Sequence, residues 1–121
     1  MRTVVLAVAG IFFAGMGIYA LMRPAALARP FRLTVDAAVS RSEIRAVYGG
    51  FGLAMAALLW WSASGADDLR GGAAIAVGVA LAGMAAGRVL SRLADTATAF
   101  YPIWFYCLVE AAGAACVLAV A

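Results

Sequence analysis

Four long apolar stretches dominate this chain, and each has the length of a membrane-spanning helix. They cover residues 3–22, 44–64, 71–90 and 102–121. A helix that rises ~1.5 Å per residue needs ~20 residues to cross ~30 Å of hydrocarbon. The chain is also 67% hydrophobic and 12% charged, whereas soluble domains average roughly 45–50% apolar and about 25% charged residues. The sequence therefore predicts an integral membrane protein.

The four predicted spans leave room for a single domain over residues 1–121. Because short connections join the spans, we expect successive helices to run antiparallel, in an all-α, up-down-up-down four-helix bundle. No space remains for a nucleotide-binding loop or a nucleic-acid-binding module. The first stretch could also be read as a secretory signal, but signal cores usually have only ~7–15 apolar residues. This stretch continues to Met22 and is followed by Arg23, so we expect a retained helix.

The net charge of +3 is carried by arginines that cluster at two connections. Six arginines lie between the first two spans or beside the turn between the last two. They are Arg23, Arg29, Arg32, Arg41, Arg88 and Arg92. Only Arg2 and Arg70 lie near the opposite ends of the spans. Short connections rich in arginine stay on the cytoplasmic side. We therefore expect the two arginine-rich connections to be cytoplasmic and the N-terminus and C-terminus both to be outside.

The first connection is also the expected contact with lipid headgroups. It carries Arg23, Arg29 and Arg32 among hydrophobic residues, and Pro24 and Pro30 interrupt it. This pattern is typical of an interfacial segment whose arginines reach anionic headgroups. A solvated, positively charged loop is the alternative. The basic balance of the chain thus indicates membrane lipids as neighbours, and no nucleic acid.

Metal and cofactor chemistry has few ligands to use in this sequence. The chain has no histidine, and Cys107 and Cys116 lie on one predicted helix. Their spacing corresponds to roughly 13 Å along the axis, which is too far for a disulfide. Protein zinc sites are built mainly from cysteine and histidine ligands. We therefore expect no metal site and no cofactor.

Ionisable residues inside the predicted spans are the main candidates for function. Arg88 lies near the end of the third stretch, and Glu110 lies about 12 Å into the fourth, counted from Pro102. A charge at bilayer depth is costly, so it usually faces the bundle interior and has a partner. We predict a buried ion pair between Arg88 and Glu110, with Arg45 and Glu43 as a second pair nearer the membrane edge.

An up-down topology brings the starts of spans two and four to the same side as the end of span three. The polar residues that should converge there are Glu43, Arg45, Tyr48, Arg88, Ser91, Asp95 and Glu110. Glycines predicted to let helices pack closely are Gly49, Gly50, Gly52, Gly83 and Gly87. Ser40 and Glu43 predict a capping box at the start of span two. An aromatic belt is predicted at Tyr101, Trp104 and Tyr106.

The same polar residues resemble the motifs of a known family. The first motif is the run Ser42-Glu43-Ile44-Arg45-Ala46-Val47-Tyr48-Gly49-Gly50. This run is similar to a known signature. The signature reads asparagine or serine, then glutamate, an aliphatic residue, arginine, two variable residues, tyrosine and two glycines. That signature belongs to the bacterial membrane family catalogued as domain of unknown function 4345. The second and third motifs are matched in order by Gly87-Arg88-Val89-Leu90-Ser91, the nearby Asp95, and Glu110.

This resemblance covers essentially the whole chain. It implies a four-helix inner-membrane protein and supplies no substrate. A distant likeness to the DoxX-type four-helix membrane proteins is an analogy at the level of the fold only.

Three functions fit these observations. The first, which the sequence favours, is a structural or interaction protein that binds a partner membrane protein or a second copy and whose buried Arg/Glu pairs fix the bundle. The second is a proton-coupled small-molecule carrier that uses Glu110 as its titrating group. The third is an enzyme or binder for a lipid or isoprenoid, with Glu43 or Glu110 as acid and base and Arg45 or Arg88 holding an anionic headgroup. No nucleophile and base pair is visible, so the sequence does not favour an enzyme.

Overall fold

The computed structural model describes residues 1–121, and all of its regular secondary structure is helical. In chain order the helices are α1 (Arg2–Met22), the short α2 (Pro24–Ala28), α3 (Ala38–Ala63), α4 (Asp68–Ala94) and α5 (Phe100–Val120). The four long helices are each long and apolar enough to cross a membrane. The protein is therefore a multi-pass membrane protein.

The long helices form two antiparallel hairpins that pack against each other. Helix α1 packs along α3, and α4 packs along α5; the hairpins meet where α3 contacts α4 and α1 contacts α5. The predicted all-α four-helix bundle is confirmed. One end of the bundle holds both chain termini and the turn 64–67, and we refer to it as the termini end. The opposite end holds residues 23–37 and 95–99, and we refer to it as the arginine-rich end.

The two ends of the bundle are held by different contacts. At the termini end, all four long helices contribute to one apolar core, which consists of Leu6, Leu59, Ala74, Val77 and Val117. The Arg2 guanidinium also donates a 2.8 Å hydrogen bond to the Gly65 carbonyl there. At the arginine-rich end, the buried apolar cluster is limited to α1, α2 and α3 and consists of Ala20, Ala28 and Ile44. Apolar packing between the hairpins is thus concentrated at the termini end.

Glycines bring the backbones of α1 and α3 into close contact. A Cβ atom on Gly17 would lie 2.9 Å from the Gly49 carbonyl oxygen and 2.9 Å from the Leu53 nitrogen. A Cβ atom on Gly52 would lie 3.1 Å from the Gly17 Cα. Because these neighbours are backbone atoms, they cannot rotate away from an added methyl group. The structure therefore places Gly49 and Gly52 at a helix–helix contact and adds Gly17 from α1.

The other three glycines singled out in the sequence face different surroundings. A Cβ atom on Gly83 or Gly87 would meet nothing within 4 Å. A Cβ atom on Gly50 would approach only the Arg45 carbonyl oxygen of its own helix, at 3.9 Å. The structure does not bring these three positions against another helix of the same chain.

Helix α3 begins earlier than the apolar stretch predicts, and the expected capping box is wrong. Ala37 has extended backbone angles and is the N-cap of the helix, with no side-chain capping bond. An N-cap residue must have a non-helical backbone, whereas Ser40 already lies in the first turn of α3. Glu43 therefore has no N-cap at position 40 to bond. The start of α3 is tied down by Arg41 instead, whose Nη1 donates to the Asp36 carbonyl at 2.8 Å.

The ends of the other long helices also differ slightly from the apolar stretches. Helix α4 extends to Ala94, past the apolar run that ends at Leu90. In α5, Tyr101 has extended backbone angles, so the regular helix begins at Pro102. Proline suits this first position because its missing N–H has no helical acceptor there.

The contact between α1 and α3 can be tested with two glycines of the same helix. Gly17→Ala should destabilise the folded bundle by about 1–3 kcal/mol, because the new methyl group overpacks the contact with α3. The matched control is Gly15→Ala, whose Cβ would meet nothing within 4 Å. This control should unfold at or slightly above the wild-type temperature. Thermal unfolding in one detergent measures both, and equal effects of the two substitutions would contradict the packing described here.

Candidate functional site

Arg88 and Glu110 form a two-bond ion pair between α4 and α5. Arg88 Nε donates to one carboxylate oxygen of Glu110 and Nη2 donates to the other, both at 2.7 Å. The Glu110 side chain is 7% exposed and the Arg88 side chain 22%. A guanidinium that binds both carboxylate oxygens gives the most complete neutralisation available to a buried carboxylate. The ion pair predicted from the sequence is present.

The direction of the side chains explains how residues at different depths meet. In a helix each Cα–Cβ bond tilts toward the helix N-terminus. Because α4 and α5 are antiparallel, Arg88 leans toward the termini end and Glu110 leans toward the arginine-rich end, so the two charged groups approach. One turn earlier on each helix, the Cys107 thiol donates to the Ala85 carbonyl at 3.6 Å. The small side chain of Ala85 permits this close approach.

Two aromatic rings cover the Arg88 guanidinium. The guanidinium carbon lies 5.9 Å from the ring centroid of Phe31 and 5.9 Å from that of Tyr106. The two rings are themselves 5.4 Å apart. A cation over an aromatic face gains about 0.5–2 kcal/mol, more where water is excluded. Phe31 belongs to the connection between α1 and α3, so the ion pair also contacts a third segment of the chain.

The sequence corresponds to one family over the whole chain. The family described as Domain of unknown function (DUF4345) matches residues 1–121. The chain belongs to this family. No curated protein and no solved structure matches the chain. The family resemblance seen in the motifs is therefore confirmed.

Tyr48 and Arg45 of the first DUF4345 motif have separate positions in the structure. Tyr48 is exposed and donates no hydrogen bond to Glu110, whose two oxygens are bound by Arg88. Arg45 turns toward α1, where its Nε donates to the Leu21 carbonyl at 3.0 Å. That carbonyl lies in the last turn of α1, where carbonyls lack helical donors and attract cations. The Arg45 side chain therefore caps α1 and does not join the Arg88 centre.

The predicted second pair, Arg45 with Glu43, is wrong. Glu43 is exposed and takes part in neither of the two ion pairs in the protein, which are Arg70–Asp67 and Arg88–Glu110. Residues two apart on a helix are rotated by roughly 200° about its axis, so their side chains point to nearly opposite sides. Helix α3 thus cannot bring these two side chains together.

The remaining members of the predicted DUF4345 cluster also lie outside the ion pair. Ser91 and Asp95 are exposed, and Asp95 accepts a 2.7 Å hydrogen bond from the Thr96 backbone N–H. Of the predicted cluster, the structure therefore brings together Arg88 and Glu110. No three His, Cys, Asp or Glu side chains lie close enough together to hold a metal ion.

Two residues of the site, Phe31 and Tyr106, are not among those that the sequence predicts for it. Tyr106 was interpreted as part of an interfacial aromatic belt, although it lies four residues before Glu110 and hence on the same face of α5. That spacing was a usable signal. Phe31 carries no comparable signal, because its position depends on how the connection folds back over the bundle.

Proposed function

We propose that this DUF4345 protein is a structural or interaction protein of the bacterial inner membrane. In this proposal the Arg88–Glu110 pair fixes the α4–α5 hairpin, and the assembled bundle binds a partner membrane protein or a second copy. One observation carries the proposal: Arg88 occupies both oxygens of Glu110 and also contacts Phe31. The pair thus joins α4, α5 and the first connection at the end of the bundle where a shared apolar core is absent.

A pair of this kind suits a structural role because of the solvent. Lipid is as apolar as most side chains, so there is little hydrophobic force between helices in the bilayer. Separating Arg88 from Glu110 would leave a charge in hydrocarbon. Sliding α4 past α5 by one turn, about 5.4 Å, would break both hydrogen bonds. The pair therefore fixes the register of the hairpin.

The two alternatives receive less support from this geometry. A proton-coupled carrier needs a carboxylate that changes partner during turnover, so Arg88 would have to leave both oxygens of Glu110. An acid–base enzyme needs a second group near the first, and Glu43 is exposed on α3, away from the pair.

Gly83 and Gly87 face out of the bundle. They give α4 a face of small residues against which a neighbouring helix could pack.

The arrangement of charge supports an orientation for the bundle. Seven of the nine arginines lie at the arginine-rich end, and they are Arg23, Arg29, Arg32, Arg41, Arg45, Arg88 and Arg92. By the positive-inside rule this end is cytoplasmic and both termini are periplasmic.

Orientation is tested by labelling single cysteines in intact cells. The parent variant carries Cys107→Ser and Cys116→Ala, and serine keeps a donor for the Ala85 carbonyl. Added to this parent, Ser64→Cys should react with a membrane-impermeant maleimide, whereas Ala37→Cys should react only after the membrane is opened. The parent itself should stay unlabelled, and reversed labelling of the two positions would contradict the orientation.

The structural role is tested by removing the charges singly and together. Arg88→Met or Glu110→Leu alone should each cost about 3–5 kcal/mol, because the remaining partner is buried without a counter-charge. The double variant should recover most of this loss in thermal unfolding. The double variant should also restore the wild-type phenotype to a strain that lacks the gene. The reason is that apolar packing can replace a pair whose role is structural.

Arg92→Met is the matched control, because Arg92 is an exposed arginine on the same helix. It should change stability by no more than about 0.5 kcal/mol. A double variant that folds stably in the membrane but does not restore the phenotype would contradict the structural role. Losses that simply add would show that the two residues do not interact.

A further inference from the structure

We propose that Arg23, Arg29, Arg41 and Arg45 form a binding site for the phosphate of an anionic lipid headgroup. These four arginines line one open cavity of about 310 Å³ between the end of α1, α2 and the start of α3. The remaining lining residues are Met22, Pro24, Ala25 and Ala26. No carboxylate lines the cavity. The site is separate from Arg88 and Glu110 and does not depend on the function proposed for them.

None of the four guanidinium groups forms an ion pair with a carboxylate of the protein. Neither of the two ion pairs includes any of these arginines. Guanidinium groups gathered in this way repel one another, and a bound anion relieves that repulsion. The protein therefore presents a concentrated positive site that attracts an anion.

Two of the four guanidiniums are already oriented. Arg41 Nη1 donates to the Asp36 carbonyl at 2.8 Å, and Arg45 Nε donates to the Leu21 carbonyl at 3.0 Å. Each bond uses one nitrogen and leaves the other N–H groups of that guanidinium free. Arginine presents its donors in a planar fork that matches phosphate oxygens. Holding the fork in place before binding reduces the entropy that binding costs.

The surroundings favour a lipid phosphate over a free one. The cavity lies directly after Met22, the last residue of α1, which lines the cavity and is 74% exposed. Leu21 and Ile18 continue an exposed apolar surface along α1 from this point. A headgroup in the cavity would therefore place its acyl chains along the lipid-facing side of α1. Basic side chains at this depth also attract the anionic surface of a bilayer, by about 1 kcal/mol each.

The site differs from the lipid contact that the sequence predicts. The sequence indicates Arg23, Arg29 and Arg32 as neighbours along the connection. In the structure, Arg32 has left-handed backbone angles (φ 57°) that turn the chain, and it does not line this cavity. Arg41 and Arg45 are brought in from α3 instead.

The test compares two variants that lose the same charge from the same end of the bundle. The site variant is Arg23→Gln with Arg29→Gln, because neither side chain makes a hydrogen bond within the protein. The control is Arg32→Gln with Arg92→Gln, outside the cavity. The full chain in mixed micelles is titrated with phosphatidylglycerol, with phosphatidylcholine and with inorganic phosphate, and bound lipid is counted by native mass spectrometry.

The wild type should bind one phosphatidylglycerol in preference to phosphatidylcholine. The site variant should lose about tenfold in phosphatidylglycerol affinity, and the control should stay close to wild type. Equal losses in both variants would overturn the site in favour of a diffuse positive surface. Inorganic phosphate that binds as tightly as phosphatidylglycerol would overturn the lipid as the ligand.

Thermal unfolding establishes that each variant is folded. If the glutamine pair unfolds, Arg23→Lys with Arg29→Lys keeps the charge and removes the fork. This lysine variant should still bind phosphatidylglycerol more weakly than wild type, and unchanged affinity would overturn the recognition by arginine forks.

Discussion

A charge at bilayer depth must have a partner, and the arginine-rich half of this bundle depends on that requirement. Arg88 and Glu110 meet it through two 2.7 Å hydrogen bonds, with Phe31 and Tyr106 stacked over the guanidinium. Either residue alone would be an unpaired charge in an apolar surrounding, which is costly. Charge holds α4 to α5 at this end of the hairpin, whereas glycines bring α1 and α3 into close contact.

The two ends of the bundle consequently have different properties. At the termini end, the four long helices share an apolar core around Leu6 and Leu59. At the arginine-rich end, polar, aromatic and basic contacts accompany the small apolar cluster of Ala20, Ala28 and Ile44. Both the Arg88 centre and the proposed lipid-phosphate site lie at this end. The shared apolar core and most of the arginines therefore lie at opposite ends of the bundle.

The sequence predicted the features that depend on local composition or on depth. The four spans follow from length and hydropathy, and the Arg88–Glu110 pair follows from the cost of an unpaired charge. Two predictions are wrong because geometry along a helix decides the outcome: Ser40 lies inside α3 rather than at its start, and Glu43 cannot face Arg45 two residues away. The position of Phe31 over Arg88 could not be predicted, because it depends on how a connection packs on helices distant in sequence.

The central claim is that Glu110 is ionised and bound by Arg88 within the bilayer. Solid-state NMR of protein in lipid bilayers tests it directly, in a Glu43→Gln background that leaves Glu110 as the single glutamate carboxyl. With ¹³C-labelled glutamate and ¹⁵N-labelled arginine, we predict the shift of an ionised carboxylate and strong dipolar coupling to guanidinium nitrogens. Adding Arg88→Met should abolish that coupling. A protonated carboxyl without coupling in the parent protein would contradict the account.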